Sequence, residues 1–193
     1  MWSDGDSTSY FMTVGLFSLF DSSGGAPVRE PEYQISSGLV SGNLDWFAYA
    51  SAEMNAYAPD VAVLMLGAND AVVINSVGTE RYRERVGAMM DLLRAPGRLV
   101  VWVGQPSMGP LRPDLVANVP IVNAVAREEA ARRPWVRYVD TIAVTSDANG
   151  NYTPYLRDAD GSTVLGRADD GVHLSPAGGR VLAEAVYAAI FAP

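Results

Sequence analysis

Two short segments that are apolar at every position constrain the fold most strongly. Residues 61–66 read Val-Ala-Val-Leu-Met-Leu, and residues 99–103 read Leu-Val-Val-Trp-Val. A strand with one face in water alternates apolar and polar residues, whereas a strand covered on both faces is apolar throughout. The two segments therefore predict central strands of a parallel sheet that has helices on both sides.

Further strands and helices alternate around these two segments. Shorter strands are predicted at the N-terminus, at 33–36 and at 136–139, and a small hairpin or excursion is predicted around 152–156. Helices are predicted over 10–20, after a cap at Asn43, from Thr79, over 120–133 and over 176–191. The helix after Asn43 is expected to turn Leu44, Phe47, Ala48 and Ser51 inward. This alternation predicts an α/β fold with three layers, α/β/α, in a single domain over residues 1–193.

Composition excludes several functions. The chain has a net charge of −8, which argues against nucleic acid or an anionic membrane as a partner. It has no cysteine and one histidine, so disulfides and a histidine cluster for zinc are excluded. An Asp147-x-Asn149-x-Asn151 pattern resembles a calcium loop, but Tyr152 stands where glycine is required. We therefore predict no metal and no cofactor, and no pattern defines an oligomeric state.

The single histidine, His173, lies three residues after Asp170. Side chains at i and i+3 of one turn are neighbours, so the Asp170 carboxylate can reach one ring nitrogen of His173. The other nitrogen is then free to take a proton, as in a nucleophilic triad. The adjacent Asp169 is the alternative partner for the ring.

The nucleophile is predicted to be Ser7, in a Gly-Asp-Ser turn that follows the first strand. Gly38 and Asn69 follow later strands, and the carboxyl ends of parallel strands lie along one edge of a sheet. The backbone N–H groups of Ser7 and Gly38 and the amide of Asn69 could converge on one oxyanion. Each residue alone also fits a turn or a helix cap. Their ordered combination predicts acyl transfer.

Three other residues are weaker candidates for substrate binding. Gln105 follows the fourth predicted strand and is expected to line the pocket wall. Arg167 and Arg112 could contact an anionic group of the substrate, although a solvated surface arginine also fits each position.

These motifs resemble the four sequence blocks of the SGNH (GDSL-like) hydrolases, and the details resemble the DUF459 branch of that superfamily. The matching segments are 5–7, 36–40, 64–70 and 167–174. The resemblance implies a flavodoxin-like fold with a five-stranded parallel sheet. It also implies Ser7 as nucleophile, His173 as base, Asp170 as the residue that orients it, and an oxyanion hole from Ser7, Gly38 and Asn69. One departure is the first strand, which here is short and contains a charged residue, Asp4; upstream residues could also be missing.

Members of this superfamily are serine esterases, lipases and carbohydrate O-deacetylases. The expected function is hydrolysis of short-chain acyl esters of the acetyl type, including those on carbohydrates, through an acyl-serine intermediate. The partner would then be a small acyl ester or an acetylated carbohydrate. One alternative is an O-acyltransferase domain that acetylates a cell-envelope glycan, and another is a catalytically silent binding module. The N-terminus lacks the apolar region of a signal peptide, while the resemblance favours an extracytoplasmic or secreted protein.

Overall fold

The computed structural model describes residues 1–192. Within them, four parallel strands form the central sheet in the order β1 (Trp2–Gly5), β2 (Val61–Met65), β3 (Leu99–Val103) and β4 (Val136–Val139). The two all-apolar segments are the central strands β2 and β3, as predicted. They pair in register, with Val61 beside Leu99 and Leu64 beside Trp102.

Helices cover both faces of this sheet. They are α1 (Tyr10–Ser22), α2 (Trp46–Tyr57), α3 (Ala68–Val77), α4 (Thr79–Leu93), α5 (Pro113–Ala131), the short α6 (Ile142–Thr145) and α7 (Pro176–Phe191). Alternate residues of β2 face opposite ways. Val63 and Met65 pack with α1 and α7 in one apolar cluster, whereas Ala62 and Leu64 pack with α2 to α5 in the other. The three-layer α/β/α prediction is confirmed.

The prediction of a fifth parallel strand at residues 33–36 is wrong for the described part of the chain. Residues 28–34 nevertheless run beside β1, because Val28 N–H donates to the Met1 carbonyl at 2.9 Å and Gln34 N–H donates to the Gly5 carbonyl at 2.8 Å. The segment advances six residues between these two bonds, from 28 to 34, while β1 advances only four, from 1 to 5, so a regular hydrogen-bond ladder is not formed. The segment lies where an edge strand would lie, but it is not a strand.

The start and inward face of α2 also differ from the prediction. Asp45, rather than Asn43, caps the helix, and its carboxylate accepts hydrogen bonds from the N–H groups of Phe47 and Ala48. The buried residues of α2 are Trp46, Ala50 and Met54. Of the four predicted residues, Leu44 and Phe47 are partly buried against the same core, whereas Ala48 is exposed.

The sequence patterns do not predict helix α3, and they predict helix α5 to be shorter than it is. Helix α3 was not predicted, because its first residues belong to a Gly-Ala-Asn-Asp segment that is typical of a turn. Helix α5 begins at Pro113 instead of 120, and Pro120 lies inside it. Proline is tolerated at the first helical position, where the missing N–H has no partner in the helix. Near the C-terminus, the predicted hairpin is confirmed by β5 (Tyr155–Arg157) and β6 (Thr163–Leu165), which are antiparallel.

The charge inside the short strand β1 is compensated. Asp4 is fully buried, and its carboxylate accepts hydrogen bonds from the Tyr49 hydroxyl at 2.6 Å and from the Arg29 guanidinium at 2.5 Å. Burial raises the pKa of Asp4, and these hydrogen bonds and the Arg29 charge oppose that rise. Asp4 thereby links β1 to α2.

No helix within residues 1–192 is long and apolar enough to span a membrane.

Candidate active site

Ser7 lies in a single turn of 3₁₀ helix, Ser7–Ser9, between β1 and α1. The preceding residue, Asp6, holds this turn in place. Its carboxylate is fully buried and accepts hydrogen bonds from the N–H groups of Thr8 at 3.0 Å, Gly67 at 3.3 Å and Ala68 at 3.1 Å. Asp6 therefore joins the turn that carries Ser7 to the beginning of α3.

The structure brings Ser7, His173 and Asp170 together. The Ser7 Oγ lies 2.9 Å from Nε2 of His173, and Nδ1 of the same ring lies 2.6 Å from the Asp170 Oδ2. The Asp170 carboxylate can only accept a hydrogen bond from Nδ1, so the ring proton lies on that nitrogen. Nε2 is then unprotonated and accepts a hydrogen bond from the Ser7 hydroxyl. A proton can therefore pass directly from Ser7 to His173.

The Asp170 carboxylate is fixed by its own loop. Its Oδ1 accepts hydrogen bonds from the N–H groups of Val172 at 2.8 Å and His173 at 3.0 Å. Burial acts to raise the pKa of Asp170, but the hydrogen bonds from the His173 ring and from these two N–H groups outweigh it and hold the pKa below its usual value. Within residues 1–192, no hydrogen bond or ion pair joins the alternative, Asp169, to the His173 ring. Asp170 is thus the carboxylate that contacts the imidazole.

Gly38 and Asn69 are brought together by a clamped loop, residues 37–41. The Asn69 amide donates to the Ser37 carbonyl at 3.0 Å. The buried Asp70 carboxylate accepts from the N–H groups of Leu39 at 3.0 Å and Val40 at 2.8 Å. A Cβ at position 38 would lie 2.3 Å from Asp70 Oδ1, so only glycine fits there.

The three predicted oxyanion donors are not equally available. The Gly38 N–H donates to the Ser41 carbonyl at 3.0 Å, so it could serve an oxyanion only by sharing or leaving that carbonyl. The Asn69 amide has a second N–H besides the one that contacts Ser37. The Ser7 N–H lies at the start of its turn, where backbone N–H groups lack partners within a helix.

Gln105 does not line a pocket wall as predicted. It is fully buried, and its Oε1 accepts a hydrogen bond from the Thr8 hydroxyl at 2.9 Å. Its backbone N–H donates to Asn123 Oδ1 at 2.8 Å, which ties the end of β3 to α5. Gln105 therefore supports the Ser7 turn from inside the protein.

Arg167 is also buried, so it is not a solvated surface residue and cannot contact the substrate as predicted. It is 1% exposed, and its Nη2 donates to the carbonyls of Gly171 at 3.2 Å and Val172 at 3.0 Å. Its guanidinium lies over the Tyr152 ring, 5.2 Å from the centroid. Burial lowers the pKa of Arg167 to about 10. Arg167 thus supports the loop that carries Asp170 and His173.

Arg112, the other arginine considered for the substrate, forms a partly exposed ion pair with Asp114 at 2.7 Å.

Sequence reasoning missed the two buried carboxylates, Asp6 and Asp70, which hold the polar loops of the site. A signal for Asp6 exists in the sequence. An aspartate two residues before Thr8, at the start of a helical turn, is typical of a cap. The bonds from Asp70 to residues 39–41 join positions about thirty apart, and no local pattern marks them.

The fold is that of solved ester hydrolases, and a serine, a histidine and an aspartate meet at one edge of its sheet. A lipase/acylhydrolase from Enterococcus faecalis is 18% identical, with 98% of this chain and 94% of that chain covered and a TM-score of 0.75. An acetyl-xylooligosaccharide esterase from Geobacillus stearothermophilus is 17% identical, with 100% and 94% covered and a TM-score of 0.73. A GDSL-family lipolytic protein from Desulfitobacterium hafniense is 15% identical, with 97% of each chain covered and a TM-score of 0.66. The chain therefore shares the fold of the SGNH (GDSL-like) hydrolases.

By sequence, the chain belongs to the DUF459 family. The model of this family, which is described as a protein of unknown function, matches residues 1–189. No curated protein matches the sequence.

Proposed function

We propose that this protein is a serine esterase that hydrolyses short-chain acyl esters, of the acetyl type, through an acyl-Ser7 intermediate. The observation that carries the proposal is the continuous hydrogen-bonded path from Ser7 Oγ through the His173 ring to Asp170. In such a path the imidazole can take the hydroxyl proton while the carboxylate stabilises the imidazolium that forms.

In the first half of the reaction, Ser7 Oγ attacks the ester carbonyl as its proton moves to Nε2 of His173. The negative charge that develops on the carbonyl oxygen is stabilised by the Ser7 N–H and the Asn69 amide, joined by Gly38 if its N–H turns from Ser41. His173 then gives the proton to the departing alkoxide, which leaves as the alcohol. The acyl group remains on Ser7.

In the second half, a water molecule gives a proton to His173 and attacks the acyl-serine. The same donors stabilise the second tetrahedral intermediate, and its collapse releases the carboxylic acid as the proton returns to Ser7. An acceptor alcohol in place of this water would make the same intermediate serve acyl transfer. Ser7 and His173 are only partly buried, which favours access of water and therefore hydrolysis.

Small polar esters are supported as substrates by two considerations. The site is open, so a long acyl chain would stay in contact with water and gain little from the hydrophobic effect. One protein that shares the fold is an acetyl-xylooligosaccharide esterase. We therefore place acetyl esters, including those on carbohydrates, ahead of long-chain lipids.

The test combines covalent labelling with an ester series. A fluorophosphonate probe should add one label to the wild-type protein and none to Ser7→Ala, while Ser22→Ala, which changes an exposed serine at the end of α1, should label normally. Activity on p-nitrophenyl esters should fall from acetyl to octanoyl. Labelling that persists in Ser7→Ala contradicts the proposal. If no label and no hydrolysis are seen, the alternative of a silent binding module is favoured.

Transfer is tested by product partitioning. An activated acetyl ester is supplied with and without a millimolar sugar acceptor, and free acetate should remain the main product. Acetylated sugar in excess of free acetate would favour the O-acyltransferase alternative.

A further inference from the structure

Beside the Ser7 turn lie the contacting rings of the partly buried Tyr10 and the exposed Tyr33, followed two residues along the chain by the exposed Ile35; we call these three residues the aromatic rim. The side chains of Tyr33 and Ile35 are 40% and 72% exposed. The rings of Tyr10 and Tyr33 have centroids 5.0 Å apart and are inclined at 56°. Large apolar side chains grouped on a surface are unfavourable in water unless they meet a partner, so this group points to a ligand.

Tyr10 is positioned by the same turn that positions the nucleophile. Ser7–Ser9 forms one turn of 3₁₀ helix, and Tyr10 follows it directly as the first residue of α1. Side chains at i and i+3 of a 3₁₀ helix are eclipsed. Tyr10 therefore lies on the same side of the turn as Ser7, while Thr8 and Ser9 between them are buried.

Tyr33 and Ile35 are held on the outside by the residue between them. Gln34 donates its backbone N–H to the Gly5 carbonyl at 2.8 Å, and its side-chain amide donates to the Tyr49 hydroxyl at 3.1 Å. The Gln34 carbonyl accepts the Ser37 hydroxyl at 2.6 Å. With Gln34 fixed against β1, its two neighbours point away from the protein. The ring contact between Tyr33 and Tyr10 places Tyr33 on the Ser7 side.

We propose that the aromatic rim binds the sugar ring of the alcohol part of an acetylated carbohydrate. This inference rests on the proposed esterase function. A pyranose ring has a C–H face that packs on an aromatic ring, and hydroxyl groups that can stay hydrated or meet the tyrosine hydroxyls. An acyl chain on the same surface would remain largely in water, because Ile35 and Tyr33 lie open rather than in a channel. The rim therefore fits a ligand with one apolar face and a polar edge.

The first experiment measures kinetics on two acetyl esters, an acetylated xylo-oligosaccharide and ethyl acetate, which lacks a sugar. Tyr33→Ala should lower kcat/KM on the sugar ester about tenfold, mainly through KM, and leave ethyl acetate within about twofold of wild type. Tyr57→Ala is the matched control, because Tyr57 is also 40% exposed but lies at the far end of α2. It should change neither substrate. Tyr33→Phe should retain most of the activity, since the ring face remains.

Equal losses on both esters, or no loss on the sugar ester, would overturn the inference. Losses that grow with acyl length in a series of ethyl esters would assign the rim to the acyl chain instead. A second experiment separates this inference from the proposed function. In Ser7→Ala, calorimetry should show binding of the acetylated xylo-oligosaccharide that Tyr33→Ala weakens about tenfold. If the wild type hydrolyses no ester, the proposed function fails, while this binding result still decides the role of the rim.

Discussion

The two sides of the site are held by buried charges of opposite sign. On the nucleophile side, the Asp6 carboxylate holds the turn of Ser7. On the acid–base side, the Arg167 guanidinium holds the loop of Asp170 and His173. Both charged side chains are almost completely removed from water, at 0% and 1% exposure. Each side therefore uses one buried charged side chain to hold its catalytic loop or turn, a carboxylate on one side and a guanidinium on the other.

The two buried charges differ in how well they are compensated. Asp6 accepts hydrogen bonds from the N–H groups of Thr8, Gly67 and Ala68, and from the Thr8 hydroxyl. Arg167 donates only to neutral carbonyls and forms no salt bridge within residues 1–192. A buried charge without a counterion is costly. The comparison indicates that the hydrogen bonds to Asp6 contribute to stability, although burial still disfavours its charge, whereas Arg167 positions its loop at some expense of stability.

The largest expected effect comes from removing one reacting group from each side. Ser7→Ala and His173→Ala should each lower kcat by roughly 10⁴–10⁶, because the groups of a triad act as a unit. The two losses should agree within about tenfold on p-nitrophenyl acetate, with little change in thermal unfolding. A much smaller loss in His173→Ala would mean that another group on the acid–base side takes the proton.

The oxyanion donors belong to the nucleophile side alone. Asn69→Ala should lower kcat by roughly 10²–10³ with little change in KM, because the charge it stabilises develops only in the transition state. Asn75→Ala, on the same helix, is the control and should leave kcat unchanged. A raised KM at constant kcat would instead place Asn69 in ground-state binding.

The comparison itself is tested by removing the two buried charges. Asp6→Ala should lower the free energy of unfolding in urea by about 2–4 kcal/mol, because several buried donors lose their acceptor. Arg167→Met should change it by no more than about 1 kcal/mol, since lost hydrogen bonds are offset by removal of an unpaired charge. Arg167→Met should nevertheless lower kcat about tenfold, because the Asp170 loop loses its support. Equal destabilisation by the two variants would refute the contrast.

The smallest effect is the pH dependence of stability, and it should have opposite signs on the two sides. The pKa of Asp170 is held below its usual value, so its stabilising contribution is present above about pH 3.9 and is lost as the pH falls through the folded pKa. Burial raises the pKa of Asp6, so its contribution is greatest below about pH 3.9 and declines as the pH rises through the folded pKa.

Urea unfolding between pH 3 and pH 7 checks these signs. As the pH falls, the stability of the wild type relative to Asp170→Asn should decrease, and its stability relative to Asp6→Asn should increase. Asp169→Asn, which changes an exposed neighbour, serves as the control for Asp170→Asn. Parallel trends in Asp170→Asn and Asp6→Asn would contradict the assignment of opposite environments.

The sequence predicts those parts of the molecule that depend on local pattern. Strands 99–103 and 136–139 and the helix from Pro176 to Phe191 follow from apolar periodicity and were placed correctly. The proximity of Asp170 to His173 follows from their spacing. The strand predicted at 33–36 is wrong because residues 28–34 follow an irregular path, advancing six residues beside four of β1, which no local pattern shows.

The misplaced site residues depend on tertiary structure. A local pattern cannot distinguish a solvated arginine from one buried over Tyr152, so the sequence predicts for Arg167 either a solvated surface position or a weak role in substrate binding. Gln105 was assigned to a wall because it follows a strand, yet Thr8 and Asn123 enclose it from two other elements. The engagement of the Gly38 N–H by Ser41 is likewise visible only once the loop is folded.

The irregular segment beside β1 has a consequence for association between molecules. An open edge strand presents a row of free N–H and C=O groups that can template pairing with another chain. Here residues 28–34 occupy the carbonyls of Met1 and Gly5, while Pro27 and Pro31 have no N–H to offer to a further chain. The sheet edge next to the nucleophile is therefore closed to strand addition, and we expect the protein to resist edge-to-edge aggregation there even when concentrated.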